Sequence, residues 1–368
     1  MPDTRTIQVL GVAQPGEMYF WTYDEGPLDD GYVQIDTLYT GLSAGTELTF
    51  VKGTNPYLHA RWDSEFGMFD ASEPDQRFPV PFLGYMEVGR VSASRSAALP
   101  EGTLVAMTYG HKSGHVAHPA FEFMMPLPKG LDPILGIYVA QMGPICANGL
   151  LHAAVDAAGP GTQHLGDGVR GRTVLVTGAG VVGLLIALWA RALGAAEVAV
   201  ADQTPQRLAV AAAFGARPLD EGQVDAGRWC KERWQHGPGD RGADVVFQCR
   251  GQDASLHTAL RALRPQGTVI DMAFYQGGCP HVQLGQEFHH NGLRIQCAQI
   301  NRVPRGTAHA WDRRRLASET ITLLQTHGAD IRRHLVTDIV PFTEAPQLMA
   351  GLAARQRHVL QAVFKVEP

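Results

Sequence analysis

The chain has 368 residues, of which 45% are hydrophobic and 18% charged, and its formal net charge is −5 at pH 7. This composition is typical of a globular protein with two separately packed domains, and the weak negative charge argues against a surface for nucleic acid or an anionic membrane. No apolar run is long enough to span a membrane, and the first residues lack the apolar stretch of a signal peptide. We therefore expect a cytoplasmic protein with a small-molecule partner.

The cysteines are odd in number and lie far apart in the sequence, which argues against a framework of disulfides. None of them forms a C-x-x-C pair, so a structural zinc site with four thiolate ligands is not expected. They are Cys146, Cys230, Cys249, Cys279 and Cys297.

Residues 5–127 predict a β-rich lobe. Short β-prone runs alternate with Gly, Pro and Asp, and no long helical periodicity occurs. The predicted strands are Ile7–Val12, Tyr32–Leu38, Val88–Ser92 and Thr103–Met107. An apolar stretch from Ile134 to Ala158 then predicts helices that lead into a second domain.

Residues 171–202 predict a strand, a glycine turn, a helix and a second strand, which is the opening of a dinucleotide-binding unit. The apolar run Thr173–Val176 ends at a G-x-G-x-x-G motif formed by Gly178, Gly180 and Gly183. The first glycine permits a tight turn, the second leaves room for a pyrophosphate against the backbone, and the third lets the helix pack close to its strand. Because the motif stands between a predicted strand and a predicted helix, it is more specific than glycine spacing alone.

The residues around this motif predict the cofactor. Val181 and Val182 stand in the first helical turn, whose unpaired N–H groups and dipole favour a phosphate. Asp202 ends the second strand, and a carboxylate there accepts hydrogen bonds from ribose hydroxyls and repels a 2′-phosphate. We therefore expect NAD(H), with Arg207 lying along the ribose or adenine. A Rossmann-like domain for another nucleotide, or for none, is the alternative.

Strands and helices then alternate along the chain, which predicts a parallel, doubly wound sheet. The elements are a helix from Pro205 capped by Thr204, the strand Asp244–Cys249, the helix Ala254–Leu263 and the strand Thr268–Met272. The rest of the chain is mixed, with predicted helices Ser318–Thr326 and Ala345–Ala354 and predicted strands Leu335–Phe342 and His358–Val366.

This order of elements resembles the medium-chain dehydrogenase/reductase superfamily, and the resemblance covers nearly the whole chain. The motifs that carry it are Gly41–Glu47 (GLSAGTE), Leu83–Gly89 (LGYMEVG), Gly178–Asp202, Gly242–Val246 and Leu263–Val269. The resemblance implies the α/β class, with a doubly wound parallel Rossmann sheet in residues 151–302. It also implies a GroES-like β-rich catalytic domain, formed by residues 1–150 and by a return of the chain at 303–368.

Two further expectations come from this resemblance. Relatives place the backbone after the fourth Rossmann strand against the cofactor, which assigns Gly251 to the cofactor site. Relatives also pair their last Rossmann strands edge to edge across a two-fold axis. The segment Leu293–Ile300 is therefore the predicted contact of a homodimer.

Zinc-dependent members of the superfamily hold a catalytic metal through a cysteine, a histidine and a third Cys, Asp or Glu ligand. At the first two positions this chain has Ala44 and Tyr85, and Cys146 is out of register with the third. The resemblance is therefore to zinc-independent members, and we predict no metal.

Without a metal, positioned hydroxyl groups must stabilise charge on the substrate oxygen and move its proton. Tyr85 replaces the imidazole ligand, and Thr46 matches the Ser/Thr that relays protons in the zinc enzymes. We predict that Tyr85 donates to the substrate oxygen, that Thr46 relays the proton and that Glu47 supports them. The alternative is that Tyr85 fills the vacated metal pocket by packing and that Glu47 forms a structural salt bridge.

Two other features have no assigned chemistry. His111, His115 and His118 lie close in sequence where relatives carry a cysteine lobe or a plain turn, so surface or packing roles are expected rather than a metal cluster. The aromatic segment 53–81 either shapes a substrate pocket or serves dimer packing and covers the β lobe.

The pairing of S-A-G-T-E with G-Y-x-x-V-G is most similar to zinc-ligand-depleted dehydrogenases of bacterial specialised metabolism, including the bacteriochlorophyllide dehydrogenase group. Met86 departs from the G-Y-E form of that group. The resemblance implies hydride transfer between a nicotinamide and a secondary alcohol or ketone of a polyol, cyclitol or natural-product intermediate. An enoyl or quinone reductase of the same fold is one alternative, against which Asp202 argues because those enzymes commonly use NADPH. A nucleotide-binding protein without turnover is the other.

Overall fold

Two compact units make up the structure, a computed structural model that describes residues 4–367. One unit, called the β-rich unit below, runs to Gln141 and resumes at Leu324. The other, called the parallel-sheet unit, covers Met142–Leu323. The catalytic candidates therefore lie in the first unit and the glycine motif in the second.

The elements follow one another in this order. The β-rich unit begins with β1 (Arg5–Gln14), β2 (Glu17–Glu25), β3 (Val33–Gly41), α1 (Ala44–Val51), β4 (Arg61–Asp63), β5 (Met68–Asp70), β6 (Glu87–Ser94), β7 (Leu104–Met107), β8 (Gly114–Ala117) and β9 (Met125–Pro126). Next come α2 (Met142–Ala158), β10 (Thr173–Thr177), α3 (Val181–Ala192), β11 (Glu197–Asp202), α4 (Pro205–Ala213), β12 (Arg217–Asp220), α5 (Ala226–Arg233), β13 (Gln235–Gly237), β14 (Asp240–Arg241), β15 (Ala243–Gln248), α6 (Asp253–Ala262), β16 (Leu263–Asp271), β17 (Arg294–Cys297) and α7 (Arg313–His334). The chain ends with β18 (Val336–Pro341), α8 (Ala345–Ala353) and β19 (Gln361–Lys365), and short helical turns occur at Pro56–Leu58, Pro133–Tyr138, Leu165–Gly168, Leu284–Phe288 and Phe342–Glu344.

The main sheet of the β-rich unit has the strand order β18-β19-β3-β6-β7-β9, and β8 pairs with β3. Its pairings are antiparallel except that of β18 with β19. In β3, Val33 and Ile35 are buried while Asp36 is exposed, which is the alternation of a sheet with one face in the core. The strand β3 ends with Thr40 and Gly41, shortly before the start of α1 at Ala44.

The sheet of the parallel-sheet unit has the order β12-β11-β10-β15-β16-β17, and every neighbouring pair is parallel. The strands β10 and β11 are buried along almost their whole length, as apolar strands between covering helices are. Thr177 lies opposite both Ala201 and Gln248, so β10, β11 and β15 end at the same edge. This edge is where the strand order changes direction, the place at which such sheets bind ligands. The predicted doubly wound parallel sheet is confirmed.

Some local predictions differ from the structure. The strand β2 was not predicted, and it forms an antiparallel hairpin with β1 around Gly16, whose φ of +81° suits a glycine. The helix α1 falls inside the stretch predicted to be all β. Its Leu48 and Val51 pack into an apolar cluster with residues distant in sequence, a tertiary contact that local propensity does not encode.

The borders of the two units fall at 141/142 and 323/324, whereas the sequence predicted them at 150/151 and 302/303. The backbone of Ala153 in α2 approaches Gly168 so closely that a Cβ there would lie 2.4 Å away, which ties α2 to the parallel-sheet unit. Trp311 donates a 3.1 Å hydrogen bond to the Thr162 carbonyl, which ties the stretch after residue 302 to the same unit. Within residues 4–367, no helix combines the length and the apolar character that a membrane span requires.

Candidate nucleotide-binding and catalytic sites

The glycine motif forms a tight turn at the end of β10. Gly178 has a φ of +97°, and a Cβ on it would lie 2.8 Å from the Arg250 Cβ. A Cβ on Gly183 would lie 1.9 Å from the Gly178 carbonyl oxygen, so this position accepts no side chain. A Cβ on Gly180, in contrast, would meet nothing within 4 Å. Two glycines are therefore demanded by packing, and the third leaves open space beside the backbone.

The start of α3 leaves its backbone N–H groups without a side-chain cap. Gly180 is the N-cap in an extended conformation, and no side chain caps the helix. Val181, Val182 and Gly183 form the first turn, whose N–H groups lack intrahelical acceptors. These groups, the helix dipole and the open space at Gly180 fit the pyrophosphate of a dinucleotide.

Asp202 holds the glycine turn as well as facing the expected ribose site. It is buried, its Oδ2 accepts a 2.8 Å hydrogen bond from the Ala179 N–H, and its Oδ1 accepts one of 2.8 Å from the Thr204 N–H. Each carboxylate oxygen has a second lone pair for a ribose hydroxyl. The structural half of this role was not predicted, because it depends on the approach of β10 to β11.

An ion pair that the sequence did not predict stands at the same edge. Arg250 Nη1 lies 3.1 Å from Glu221 Oε2, and Arg250 Nη2 lies 3.4 Å from the Gln203 Oε1. The Glu221 N–H donates to the carbonyl of Asp202 at 3.1 Å. Arg250 thus lies against the first glycine of the motif, with its charge balanced by Glu221. No local pattern signals this pair, because its members follow two different strands.

Two other predicted cofactor residues have less defined surroundings. Arg207 is half-buried near the start of α4, and its contact with a ribose or adenine stays a prediction. A Cβ on Gly251 would lie 2.4 Å from the Phe274 carbonyl oxygen. The chain therefore needs a glycine there for its own packing, and the contact of Gly251 with the cofactor stays a prediction.

In the β-rich unit, Tyr85 belongs to a cluster of hydroxyl groups at the start of α1. Ser43 is the N-cap of α1, but its hydroxyl bonds to the Tyr85 hydroxyl instead of capping the helix. The Thr46 side chain also hydrogen-bonds to the Tyr85 hydroxyl. Burial and the negative charge of Glu47 raise the pKa of Tyr85 to about 12. The structure thus brings Tyr85, Thr46 and Glu47 together, with a neutral phenol at the centre, and adds Ser43, which the sequence did not single out.

Glu47 is buried and fully engaged. Its Oε1 accepts a 2.7 Å hydrogen bond from the Ser43 N–H, and its Oε2 lies 2.6 Å from His111 Nε2. The predicted salt bridge of Glu47 thus exists, and its partner is His111. The surface role considered for this histidine is wrong, because His111 is completely buried and ion-paired. His115 and His118 have other partners, namely Glu122 at 2.8 Å and the ring of Tyr32.

The two sequence positions of the missing zinc ligands carry no metal-binding groups. Ala44 has a methyl side chain, and the neutral hydroxyl of Tyr85 is hydrogen-bonded to Ser43. Cys146 is buried, its Sγ donates to the Val182 carbonyl at 3.8 Å, and burial raises its pKa far above that of an ordinary thiol. Across residues 4–367, no three His, Cys, Asp or Glu side chains are grouped closely enough to hold a metal ion.

The segment 53–81 forms a small hairpin with exposed aromatic rings. The ring centroid of Phe69 lies 5.1 Å from that of Trp62 and 5.7 Å from that of Tyr57. Asn55 Nδ2 donates a 2.7 Å hydrogen bond to the Thr49 hydroxyl, which fastens the start of the segment to α1. Both roles considered for the segment, substrate pocket or dimer packing, stay open.

A dinucleotide-type parallel-sheet unit inserted into a β-rich unit that carries a hydroxyl cluster is the architecture of a two-domain, nucleotide-dependent oxidoreductase. Comparisons with known proteins agree with this class. The sequence model of the zinc-binding dehydrogenase family matches residues 181–311. The chain is 24% identical over 333 residues to D-guloside 3-dehydrogenase of Shigella flexneri, with 88% of this chain and 90% of that protein covered. It is 32% identical over 185 residues to a probable D-xylulose reductase A of Arthroderma otae, covering 50% of this chain and 48% of that protein.

Solved structures give the same fold. The crystal structure of 2R,3R-butanediol dehydrogenase from Bacillus subtilis superposes with a TM-score of 0.72 at 16% identity, covering 98% of this chain and 99% of that chain. Together the matches support the medium-chain dehydrogenase/reductase superfamily with its zinc-type alcohol dehydrogenases. The relatives are dehydrogenases and reductases, which supports an oxidoreductase enzyme, and the Rossmann plus GroES-like fold is confirmed. The family match covers neither Ala44 nor Tyr85, so zinc independence and the bacteriochlorophyllide-dehydrogenase-like resemblance stay predictions.

Proposed function

We propose that the protein is a zinc-independent, NAD(H)-dependent dehydrogenase that interconverts a secondary alcohol and its ketone on a polyol, cyclitol or natural-product intermediate. The observation that carries the proposal is the cluster of Tyr85, Ser43 and Thr46 hydroxyls beside Glu47, in which Tyr85 stands at the sequence position of the imidazole ligand of zinc relatives. The names of the relatives, a guloside dehydrogenase and a xylulose reductase, support a substrate rich in hydroxyl groups.

The parallel-sheet unit would hold the cofactor through its backbone. The N–H groups of Val181, Val182 and Gly183 would bind the pyrophosphate, and the free lone pairs of Asp202 would accept the ribose hydroxyls. The bound nicotinamide supplies the acceptor for the hydride that leaves the carbinol carbon.

The β-rich unit would manage the proton. Oxidation of a secondary alcohol removes a hydride from carbon and a proton from oxygen, and a hydroxyl chain can take up that proton as it passes one on. Because its pKa is about 12, Tyr85 stays protonated and can donate to the oxygen of a ketone or alcohol. Thr46 and Ser43, both hydrogen-bonded to Tyr85, are the next members of the chain through which the proton moves.

The preference for NAD(H) is supported by the charges at the ribose edge. Asp202 is buried and bound to two backbone N–H groups, so its carboxylate cannot turn away from a 2′-phosphate. The nearby cation, Arg250, is occupied by Glu221. A 2′-phosphate would therefore meet the fixed negative charge of Asp202, and Arg250 would not be free to bind it.

The test uses the full-length protein purified without added metal. Metal content is measured by mass spectrometry, NADH and NADPH binding by fluorescence titration, and turnover with a panel of sugar alcohols, glycosides and cyclitols. The proposal expects no stoichiometric zinc, tighter NADH than NADPH binding, and oxidation of at least one secondary alcohol. One equivalent of zinc overturns the metal-free chemistry, reduction of activated C=C bonds alone favours an enoyl or quinone reductase, and NADH binding without any turnover favours a non-catalytic protein.

A further inference from the structure

A buried polar network lies behind the hydroxyl cluster, and the sequence had not connected its members. His111 is completely buried, with Nε2 at 2.6 Å from Glu47 Oε2 and Nδ1 at 2.5 Å from the Thr40 hydroxyl. The Thr40 hydroxyl in turn donates a 3.0 Å hydrogen bond to Glu87 Oε1. Four polar side chains from different parts of the β-rich unit therefore form one continuous chain of hydrogen bonds.

The direction of these hydrogen bonds defines the protonation of the ring. While Glu87 is ionised, the single proton of the Thr40 hydroxyl goes to Glu87, and Thr40 then accepts from His111 Nδ1. The other ring nitrogen faces the carboxylate of Glu47, which only accepts. Both nitrogens of His111 are then donors. Burial lowers the pKa of His111, but the charges of Glu47 and Glu87 raise it overall, which also favours the doubly protonated ring.

The backbone at Gly84 leaves space for the imidazole ring of His111. Gly84 has a φ of +99°, and a Cβ on it would lie 2.9 Å from the backbone nitrogen of His111 and 3.0 Å from Glu87 Oε1. The His111 N–H donates a 2.7 Å hydrogen bond to the Leu83 carbonyl. The residue next to Tyr85 is thus a glycine because the histidine and Glu87 occupy the space of its side chain.

We propose that His111 is a positioning residue of the proposed active site, which is held by Thr40, fixes the carboxyl group of Glu47 and thereby fixes Ser43 and Tyr85. The link runs through Glu47, which binds His111 with one oxygen and the Ser43 N–H with the other. Ser43 then fixes the Tyr85 hydroxyl. Without His111, Oε2 of the buried Glu47 would lose its hydrogen-bond partner, and its carboxyl group would no longer be held in the orientation that binds Ser43.

Glu87 adds a titratable group to the far end of the network. It is buried, its Oε2 has no hydrogen-bond partner among the described residues, and burial raises its pKa to about 7. The charged and titratable groups that interact electrostatically with Glu87 are His111, Glu47, Tyr85, Tyr109 and Lys112. The charge around His111 therefore changes near neutral pH, which gives the network a pH-dependent signature.

The role of His111 rests on the proposed function, and its test compares kcat and KM across variants of the full chain. We expect His111→Gln to lower kcat by about tenfold or more, with KM changed by less than about threefold, because orientation and proton handling act on the chemical step. Thr40→Val should act in the same direction, and Thr40→Ser should restore kcat. The matched control is His115→Gln, which breaks another histidine–carboxylate pair of the same unit, at 2.8 Å from Glu122.

The outcomes separate the two proposals. If the wild type oxidises no alcohol, the proposed function fails, and the network is then read from nitrogen NMR of isotope-labelled histidine in the wild type and in His111→Gln. The signal that His111→Gln lacks belongs to His111. If this signal shows two protonated ring nitrogens near neutral pH, it supports the positioning role, and if it shows a neutral ring, it overturns that role. In an active enzyme, a kcat for His111→Gln equal to that of His115→Gln, with an unchanged pH profile, also overturns it.

Discussion

Arg250 Nη1 lies 3.1 Å from Glu221 Oε2 at the edge of the parallel sheet where β10, β11 and β15 end. The guanidinium is also within 3.4 Å of Gln203, the residue after Asp202. Although burial and neighbouring acids raise the pKa of Glu221, the charge of Arg250 opposes that shift. This ion pair holds a cation beside the predicted ribose site and at the same time neutralises it.

Removing the carboxylate of this pair should change the cofactor preference. In Glu221→Gln, Arg250 loses its counter-ion and becomes available to a 2′-phosphate, so we expect NADPH to bind about tenfold more tightly, roughly 1.4 kcal/mol, with NADH little changed. Fluorescence titration with both cofactors measures the ratio. Glu232→Gln is the matched control, because it frees Arg228 from an exposed pair in α5. Equal ratios in the two variants would show that Arg250 does not approach the ribose.

Alanine should mainly weaken NADH binding at Gly180 and mainly lower the stability of the fold at Gly183. A Cβ on Gly180 meets nothing within 4 Å, so Gly180→Ala should cost about 0.5 kcal/mol of stability but weaken NADH binding by about tenfold or more, since the methyl group enters the phosphate space. A Cβ on Gly183 would lie 1.9 Å from the Gly178 carbonyl oxygen, so Gly183→Ala should destabilise the fold by about 1–3 kcal/mol or more. Thermal unfolding and NADH titration of both variants separate these effects. Unchanged NADH affinity in Gly180→Ala would contradict the phosphate assignment.

The Tyr85 hydroxyl should matter for turnover more than for stability. Tyr85→Phe removes the hydrogen bonds to Ser43 and Thr46, and we expect kcat to fall by about a hundredfold while the free energy of unfolding changes by about 1 kcal/mol. Steady-state kinetics and chemical denaturation provide the two values. Tyr23→Phe serves as the control, because the Tyr23 hydroxyl donates to Glu25 at 3.2 Å, outside the cluster of Ser43 and Thr46. A Tyr85→Phe enzyme with wild-type kcat would support the packing alternative for this residue.

Glu87 should make the protein less stable as the pH rises. Burial raises its pKa from 4.5 to about 7, so the folded state binds more protons than the unfolded state between these values. This group thus favours folding below its unfolded pKa, and on the order of 3 kcal/mol is lost as the pH rises through the folded pKa. We expect Glu87→Gln to lose less stability than the wild type between about pH 4.5 and 7, as measured by denaturation at several pH values.

Glu122 should change the pH dependence of stability in the opposite direction to Glu87. Although burial raises it, the hydrogen bond and charge of His115 lower the pKa of Glu122 overall. This carboxylate therefore contributes stability above its unfolded pKa that is lost as the pH falls. Glu122→Gln should flatten the acid side of the stability profile, whereas Glu87→Gln flattens the neutral side. The same change in both variants would mean that neither group has the assigned environment.

The strand β17 is the predicted contact of a homodimer. It is the edge of the parallel sheet, and all four of its residues are exposed, including Ile295. An exposed β-prone edge can pair with its own copy across a two-fold axis. We expect the wild type to sediment as a dimer and Ile295→Lys as a monomer. Ile339→Lys, on the exposed face of β18, should remain a dimer, and a monomeric wild type would refute the prediction.

The central strands and helices of the parallel-sheet unit could be predicted from the sequence, because their signals are local, whereas β12 and α5 were not predicted. The glycine spacing of residues 178–183 encodes the turn, and the apolar runs encode β10, α3 and β11 within a few residues. The weaker predictions lay where tertiary packing decided the outcome, as in the helix α1 and in the division of the chain between the units.

The sequence by itself determined the class of enzyme and the glycine turn after β10, and it singled out Tyr85 in one motif and Thr46 with Glu47 in another. Only the tertiary structure decided that Ser43 bonds to Tyr85 and that Glu47 is paired with His111. These partners are 42 and 64 residues apart in the chain, so no helical or strand periodicity links them. They meet because the pairing of β3 with β6 brings Thr40 opposite Glu87, and because the left-handed backbone of Gly84 leaves space for the buried imidazole.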